Sequence, residues 1–251
     1  MHSPASSTLY LLCSALLFHA FLTTAIDPLH AKCSISKNYT SNDAFGNNLP
    51  RMMSLLAIKS APIGFALGSL GHGDGRVNGL ALCRGDVRSS ACTSCILTAG
   101  ARIRNLCPRN KEAVVWYDEC MLRYSDAEFF GDADYDQSFF PLFDPRNTFN
   151  ARNVSDSKVF DGKAALLLER LKNKAYISPL MFAKQELEIG ESMNLYGLAQ
   201  CTKDISGGDC KKCLEAAINK LRRCCRGQRG ARVVGGSCNM RYELYPFLDD
   251  A

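Results

Sequence analysis

Histidine is nearly missing from this chain: four residues among 251, of which His2 and His19 lie in the apolar N-terminal segment. The remaining two, His30 and His72, sit near the start of the chain and in the glycine-rich stretch Gly68 to Gly79. A Ser/His/Asp or Cys/His device needs a positioned imidazole base, so nucleophilic hydrolysis has little to build on. The same shortage argues against zinc, which takes four nearby thiolates or imidazoles in its structural sites. Long apolar runs are also scarce after the first 25 residues; Ser54 to Leu70 comes nearest and is broken by Lys59, Pro62 and two glycines. No later segment is therefore expected to span a membrane. A calcium loop is imitated by Asp132, Asp134 and Asp136, but no glycine follows at the required place and the twelfth position is Phe143. No cofactor and no metal are expected, and the chain reads as a non-enzyme.

What is present begins with an apolar run, Leu9 to Leu22, ending in Thr23-Thr24-Ala25. That is the pattern of a secretory signal cleaved after Ala25, which predicts a secreted, extracellular protein. Twelve of the 13 cysteines follow that cleavage point, an even number in an oxidising compartment, and so read as a disulfide framework. Asn38-Tyr39-Thr40 and Asn153-Val154-Ser155 are N-glycosylation sequons, with Asn38 and Asn153 as acceptors.

Comparing the chain with itself shifted by 118 residues exposes an internal repeat. Gly79-Leu80-Ala81-Leu82-Cys83 falls on Gly197-Leu198-Ala199-Gln200-Cys201, and Asp86 falls on Asp204. Cys92/Cys210, Cys95/Cys213, Cys107/Cys225 and Cys120/Cys238 keep the same register, giving C-x8-C-x2-C-x11-C-x12-C twice. A helix is predicted from Ser89 or Ser90, as its cap, to about Leu106, with a matching one around Cys210 to Leu221. Earlier helices are predicted at Met52 to Ile58 and Lys163 to Leu171, and strands at Val77 to Leu82, Ala113 to Cys120 and Ala231 to Phe247. The expectation is an α+β fold: two tandem disulfide-stapled domains, each a small antiparallel sheet packed against two helices. The division is signal 1–25, first domain 26–125, an acidic aromatic linker 126–147 and second domain 148–251.

Charge is unevenly placed. Cys201 to Arg232 holds nine Lys/Arg against three Asp/Glu, whereas Ser125 to Pro145 holds six acidic residues, five phenylalanines and no basic residue. Such blocks suit contact with a polyanion or contact between the two halves; the alternative is two differently charged solvated faces. Nucleic acid does not suit the compartment. A redox role for Cys92-Thr93-Ser94-Cys95 lacks parallel-sheet context, and its counterpart carries Lys211-Lys212 between the cysteines.

The repeated cysteine pattern, with Trp116 to Tyr124 in one copy and Gly230 to Glu243 in the other, resembles the plant cysteine-rich repeat secretory proteins, which carry tandem ginkbilobin-homologous domains. The resemblance spans essentially the whole mature chain. It implies the pairs Cys33–Cys107, Cys83–Cys92, Cys95–Cys120, Cys201–Cys210 and Cys213–Cys238. Nothing in copy two matches Cys33, and Cys224 stands extra beside Cys225. A vicinal bridge, an intermolecular bond and two free thiols all remain open for them. The resemblance further implies an apoplastic location and a mannose-type site formed in copy two by Asn150, Arg232 and Glu243. The corresponding positions of copy one, Ser34, Val114 and Ser125, lack that chemistry. An amide, a guanidinium and a carboxylate suit an array of sugar hydroxyls; the alternative is that Arg232 and Glu243 form a cross-strand ion pair. Two functions follow. One is a carbohydrate-binding antifungal, defence or stress protein whose partner is cell-wall or fungal carbohydrate. The other is an interaction module that docks on receptor-like kinase ectodomains or acidic wall polymers.

Overall fold

The computed structural model describes residues 27–135, 139–142, 157–190 and 193–249. The signal segment, Asn150 and Asn153 lie outside them.

In the first domain, β1 (His30–Cys33), α1 (Ala44–Ser60), β2 (Phe65–Leu70), β3 (Val77–Cys83), α2 (Ser89–Leu106), β4 (Ala113–Trp116) and β5 (Cys120–Ser125) follow in order. The strands form an antiparallel sheet in the order β1-β4-β5-β3-β2. The second domain repeats the plan with β6 (Phe140–Leu142), α3 (Ser157–Ala175), β7 (Phe182–Gly190), β8 (Met193–Cys201), α4 (Gly207–Cys224), β9 (Ala231–Val234) and β10 (Cys238–Glu243). Its sheet order, β6-β9-β10-β8-β7, is the same. The fold is α+β, two five-stranded antiparallel sheets, each with two helices.

Local chemistry explains the elements and corrects some expected boundaries. Asp43 caps α1, its carboxylate accepting from the Gly46 and Thr40 amides at 2.7 Å each. The apolar stripe Phe45, Leu49, Met52, Met53 and Leu56 then faces the sheet, so the helix runs well beyond Met52 to Ile58. Neither Ser89 nor Ser90 caps α2: the cap is Arg88 without a side-chain bond, and Ser89 Oγ instead donates to the Ala61 carbonyl. The stretch expected as one strand from Ala113 breaks into β4 and β5 around a turn at Tyr117 to Glu119, closed by the Tyr117 amide on the Cys120 carbonyl. The segment 126–147 is not wholly a linker. Phe140–Leu142 pairs with β9 as the edge strand of the second sheet, where Pro141 is tolerated.

The bridges tie helices to sheets. Cys83–Cys92 joins β3 to α2, Cys95–Cys120 joins α2 to β5, and Cys33–Cys107 joins β1 to the end of α2. Cys201–Cys210 and Cys213–Cys238 repeat the first two, and Cys224–Cys225 bond to each other.

Each domain has its own core between sheet and helices. Val115, Leu122 and Tyr124 meet Leu49, Met52 and Ile96 in the first; Leu195, Val233 and Met240 meet Leu167, Leu171 and Leu214 in the second. Repeat-matched glycines let the first helix of each domain approach its sheet. A Cβ on Gly79 would fall 2.8 Å from Leu56 Cδ1 and 2.9 Å from Met52 Cγ, and one on Gly197 would fall 2.7 Å from Leu171 Cδ1. Gly79→Val is expected to destabilise the first domain by about 1–3 kcal/mol through overpacking, measured by urea denaturation. A neutral result would mean that α1 is free to shift.

A third apolar cluster lies between the domains. Leu80, Leu82, Val114, Trp116 and Met121, on the face of the first sheet turned away from its helices, are covered by Phe129 and Phe130 of the connecting segment. Val234, Phe140 and Leu142 of the second sheet complete the cover. Both faces of the first sheet are therefore buried.

Candidate interdomain clasp

The two sheets meet through their last hairpins. The turn that carries Asp118 reaches onto the second sheet, where Arg232 and Arg241 stand directly opposite each other on β9 and β10. Arg232 Nη1 donates to Asp118 Oδ1 at 2.6 Å and Arg241 Nη1 to the same oxygen at 2.9 Å. Arg84 Nη1 approaches Asp118 Oδ2 at 3.4 Å, so one carboxylate serves three guanidiniums. Arg84 also holds Asp86 through Nε at 2.5 Å and Asp249 through Nη2 at 3.1 Å, which draws the C-terminal tail onto the first domain. The Asp249 amide returns a bond to Asp86 Oδ2 at 2.9 Å. On the other side Arg241 Nε donates to Glu243 Oε1 at 3.0 Å, Nη2 donates to the Tyr245 hydroxyl at 2.8 Å, and the Phe247 ring centroid lies 4.0 Å from its guanidinium carbon.

Burial sets the electrostatics. Arg84, Arg232, Arg241 and Glu243 are all buried, while Asp118 is half-exposed. Partial burial by itself would raise the Asp118 carboxyl, but Arg232, Arg241 and Arg84 outweigh it and hold the group below the usual carboxylate range. Desolvation pushes the Arg232 guanidinium down to about 10, against the opposing pull of Asp118. The asymmetry has a simple cause: Asp118 gains from three cations, whereas Arg232 shares one anion with two others that also repel it. Asp118, Arg232 and Arg241 are therefore charged at neutral pH.

The repeat makes the contact pseudo-symmetric. A shift of 118 residues carries Asp118 to Gly236, Arg232 to Val114 and Arg241 to Arg123. At this second end Trp116 Nε1 donates to the Gly235 carbonyl at 3.1 Å, and a Cβ on Gly236 would lie 3.3 Å from Arg123 Nη1. Each domain thus lays the turn of its last hairpin against the sheet of the other, as in a two-fold dimer fused into one chain. The first end joins the domains through a carboxylate shared by arginines; the second does so through the Trp116 hydrogen bond, with Arg123 and Asp134 beside Gly236. Gln200 Nε2, donating to the Cys83 carbonyl at 2.9 Å, adds a buried bond at the seam.

The structure brings Arg232 and Glu243 to one sheet face, with Arg241 between them; the Asp118 turn of the first domain covers Arg232 and Arg241, and Tyr245 and Phe247 of the C-terminal tail pack on Arg241. They do not pair with each other: Arg232 bonds Asp118 and Glu243 accepts from Arg241. Asn150, the third member of the expected sugar site, is outside the described residues. In copy one, Val114 and Ser125 are buried and Ser34 Oγ shares a hydrogen bond with Ser36 Oγ. Asn38 is exposed in the loop after β1. Among the described residues no helix is long and apolar enough to cross a membrane, and no group of three or more His, Cys, Asp or Glu is placed to hold a metal. Sequence reading missed Asp118, Arg84, Asp86, Arg241 and Asp249 as functional residues. Their signal lay in strands apolar on both faces, which mark a sheet buried on both sides.

Two disulfide-stapled repeats locked through their final hairpins define a tandem two-domain α+β module. The chain matches the family described as salt stress response/antifungal over residues 32–127 and 146–245. It is 48% identical over 223 residues to an antimicrobial ginkbilobin-2-like protein of Castanea crenata, covering 89% of this chain and 90% of that one. Cysteine-rich repeat secretory protein 38 of Arabidopsis thaliana is 44% identical over 226 residues, with coverage of 89% and 86%. The tandem DUF26 ectodomain of the A. thaliana cysteine-rich receptor-like protein PDLP8 superposes with a TM-score of 0.72 at 26% identity, covering 88% of this chain and all of that one. That of PDLP5, at 21% identity and a TM-score of 0.66, shares the fold. The chain belongs to the salt stress response/antifungal family, as a plant cysteine-rich repeat secretory protein with two tandem DUF26 domains. The family is non-enzymatic.

Proposed function

We propose that this protein is secreted to the apoplast and acts there as a rigid two-domain binding module in antimicrobial defence or stress response. Its target is acidic cell-wall or fungal polysaccharide, met through the basic face of α4. One observation carries the reading. The guanidinium and carboxylate that a mannose ring would need, Arg232 and Glu243, are engaged in the interdomain clasp, whereas Lys211, Lys212, Arg222, Arg223 and Arg226 of α4 and its last turn stand exposed. The names of the relatives, antimicrobial and secretory, support the setting. Mannose binding through Asn150, Arg232 and Glu243 would require the first domain to leave the face that it covers. Docking on receptor ectodomains would use the same exposed surface with an acidic protein in place of the polymer.

Glu169 accepts from Arg222 at 3.3 Å and Asp209 from Lys212 at 3.4 Å, so these two are partly neutralised within the domain. Lys211, Arg223 and Arg226 carry the rest of the field. Retention on a polygalacturonate column is expected to fall several-fold when ionic strength rises from about 0.05 to 0.5 M, because screening shortens the reach of exposed charges to a few ångströms. The quadruple change Lys211→Gln, Lys212→Gln, Arg223→Gln and Arg226→Gln should elute at distinctly lower salt and inhibit fungal growth less. Retention that ignores both salt and these substitutions would show that the basic face is merely solvated.

A further inference from the structure

Five of the six disulfides join residues that folding brings together, at sequence separations of 74, 9, 25, 9 and 25. In the unfolded chain each of those pairs must close a loop against conformational entropy, so native structure and bridge stabilise one another. Cys224–Cys225 has a separation of 1. Its two sulfurs are held together by the backbone in both states, and folding adds almost nothing to their tendency to remain bonded. Against a given thiol buffer the other five are protected by the fold; this one is protected mainly by its surroundings.

Those surroundings favour exchange. Cys225 is the C-cap of α4, its amide donating to the Leu221 carbonyl at 3.0 Å, and it lines an open groove between α3 and α4 together with Arg222, Arg226 and Asp161. Cys225 is 3% exposed, whereas Cys224 is half-buried, which makes Cys224 the more accessible residue of the pair. Arg222, Arg223 and Arg226 flank the pair in the same turn. The negative end of the helix dipole, about half an elementary charge, opposes a thiolate there, but the Arg223 and Arg226 guanidiniums, with that of Arg222 shared with Glu169, favour it. In the first copy the matching residue, Cys107, is tied to β1 through Cys33. Nothing in the second copy matches Cys33, so this pair carries no such structural duty.

We propose that Cys224–Cys225 is the exchangeable disulfide of this protein, a thiol-exchange site for a small anionic thiol of the glutathione class. The external thiolate attacks Cys224 Sγ; the 224–225 bond breaks and Cys225 leaves as the thiolate stabilised by the arginines. The result is a mixed disulfide on Cys224. A second external thiol releases Cys224, so the protein takes up two electrons and two protons, and two external thiols become one disulfide.

The test is native-state equilibration of the mature protein in glutathione buffers of graded poise, followed by acid trapping, alkylation and peptide mapping. Cys224 and Cys225 are expected to alkylate at poises where the other ten cysteines remain bonded. Their rate should drop several-fold at high salt and in the Arg222→Gln/Arg226→Gln variant, since an anionic attacker loses its guide. The Cys224→Ser/Cys225→Ser variant should melt within a few degrees of the parent and show no early labelling. The proposal is overturned if Cys213 and Cys238, or any pair of the first domain, reduce together with or before this one. It is equally overturned if both residues alkylate without reductant, or if either maps to a bond with a second chain.

Discussion

Asp118→Ala is expected to lower the stability of the folded chain by about 2–4 kcal/mol, because it strips the shared anion from Arg232 and Arg241, both buried, and from Arg84. Breaking a fully buried pair costs about 3–5 kcal/mol, and the lower range applies because Asp118 is half-exposed and water can replace part of what is lost. For a chain of this size the midpoint of thermal unfolding should fall by roughly 5–12 °C. The pH dependence has a definite sign. The Asp118 carboxyl is held below its ordinary value in the fold, so its stabilisation is present above the ordinary carboxylate range and is lost as pH falls through the depressed folded value. Parent protein should therefore lose stability on acidification below about pH 4, and Asp118→Asn should flatten that limb while already being less stable at pH 7. Calorimetry across pH 2–7 measures both effects. A parent and variant with parallel acid limbs would mean that other carboxylates carry the acid sensitivity.

The domain plan was legible because it depends on local rules that repeat. Cysteines in fixed register placed α2 and α4, and Asp86 over Asp204 confirmed the alignment of the turns before them. The clasp was harder to see, for a physical reason. Alternation along Ala231-Arg232-Val233 says that Arg232 points away from the helices, but not what lies on that side. A lone arginine on an outward face reads as solvated or as a ligand contact, and only the packing of the other domain turns it into a structural residue. The hint was in the first copy. Val77 to Cys83 is buried along its whole length, and Val114, Trp116 and Met121 lie on the face that its own helices do not cover. Such a sheet needs a second cover, and the acidic, phenylalanine-rich segment with the second sheet supplies it. Phe129 and Phe130 pack over the first sheet, and Arg123 lies 4.1 Å from the Phe129 ring centroid. The aromatic content of that segment was thus a packing signal more than a linker signal. Asn150 belongs to a part of the chain that the structure does not describe, so its proposed place beside a sugar rests on the resemblance alone.

Trp116→Ala is expected to have the largest effect of any single substitution at the seam. Trp116 is 2% exposed, stacks near His30 and Phe140, and donates to the Gly235 carbonyl of the other domain. Removing it deletes the centre of the interdomain cluster and leaves that carbonyl unpartnered, a loss of about 3–5 kcal/mol. The loss falls on docking more than on folding, because each domain keeps its own core and bridges. Calorimetry should accordingly resolve the single transition of the parent into two, whereas Trp116→Phe, which keeps a ring but no N–H, should lose about 1–2 kcal/mol and unfold in one step. The same variant probes the sugar chemistry. Once docking weakens, Arg232 and Glu243 are covered only part of the time, and the apparent affinity for any ligand of that face rises with the fraction of open molecules. Glycan-array binding by the Trp116→Ala chain, absent from the parent and abolished again by adding Arg232→Ala, would show a mannose-type site masked by the first domain. If parent and variant are equally silent while both domains remain folded, Arg232 and Glu243 serve the clasp alone, and recognition belongs to the exposed basic face of α4.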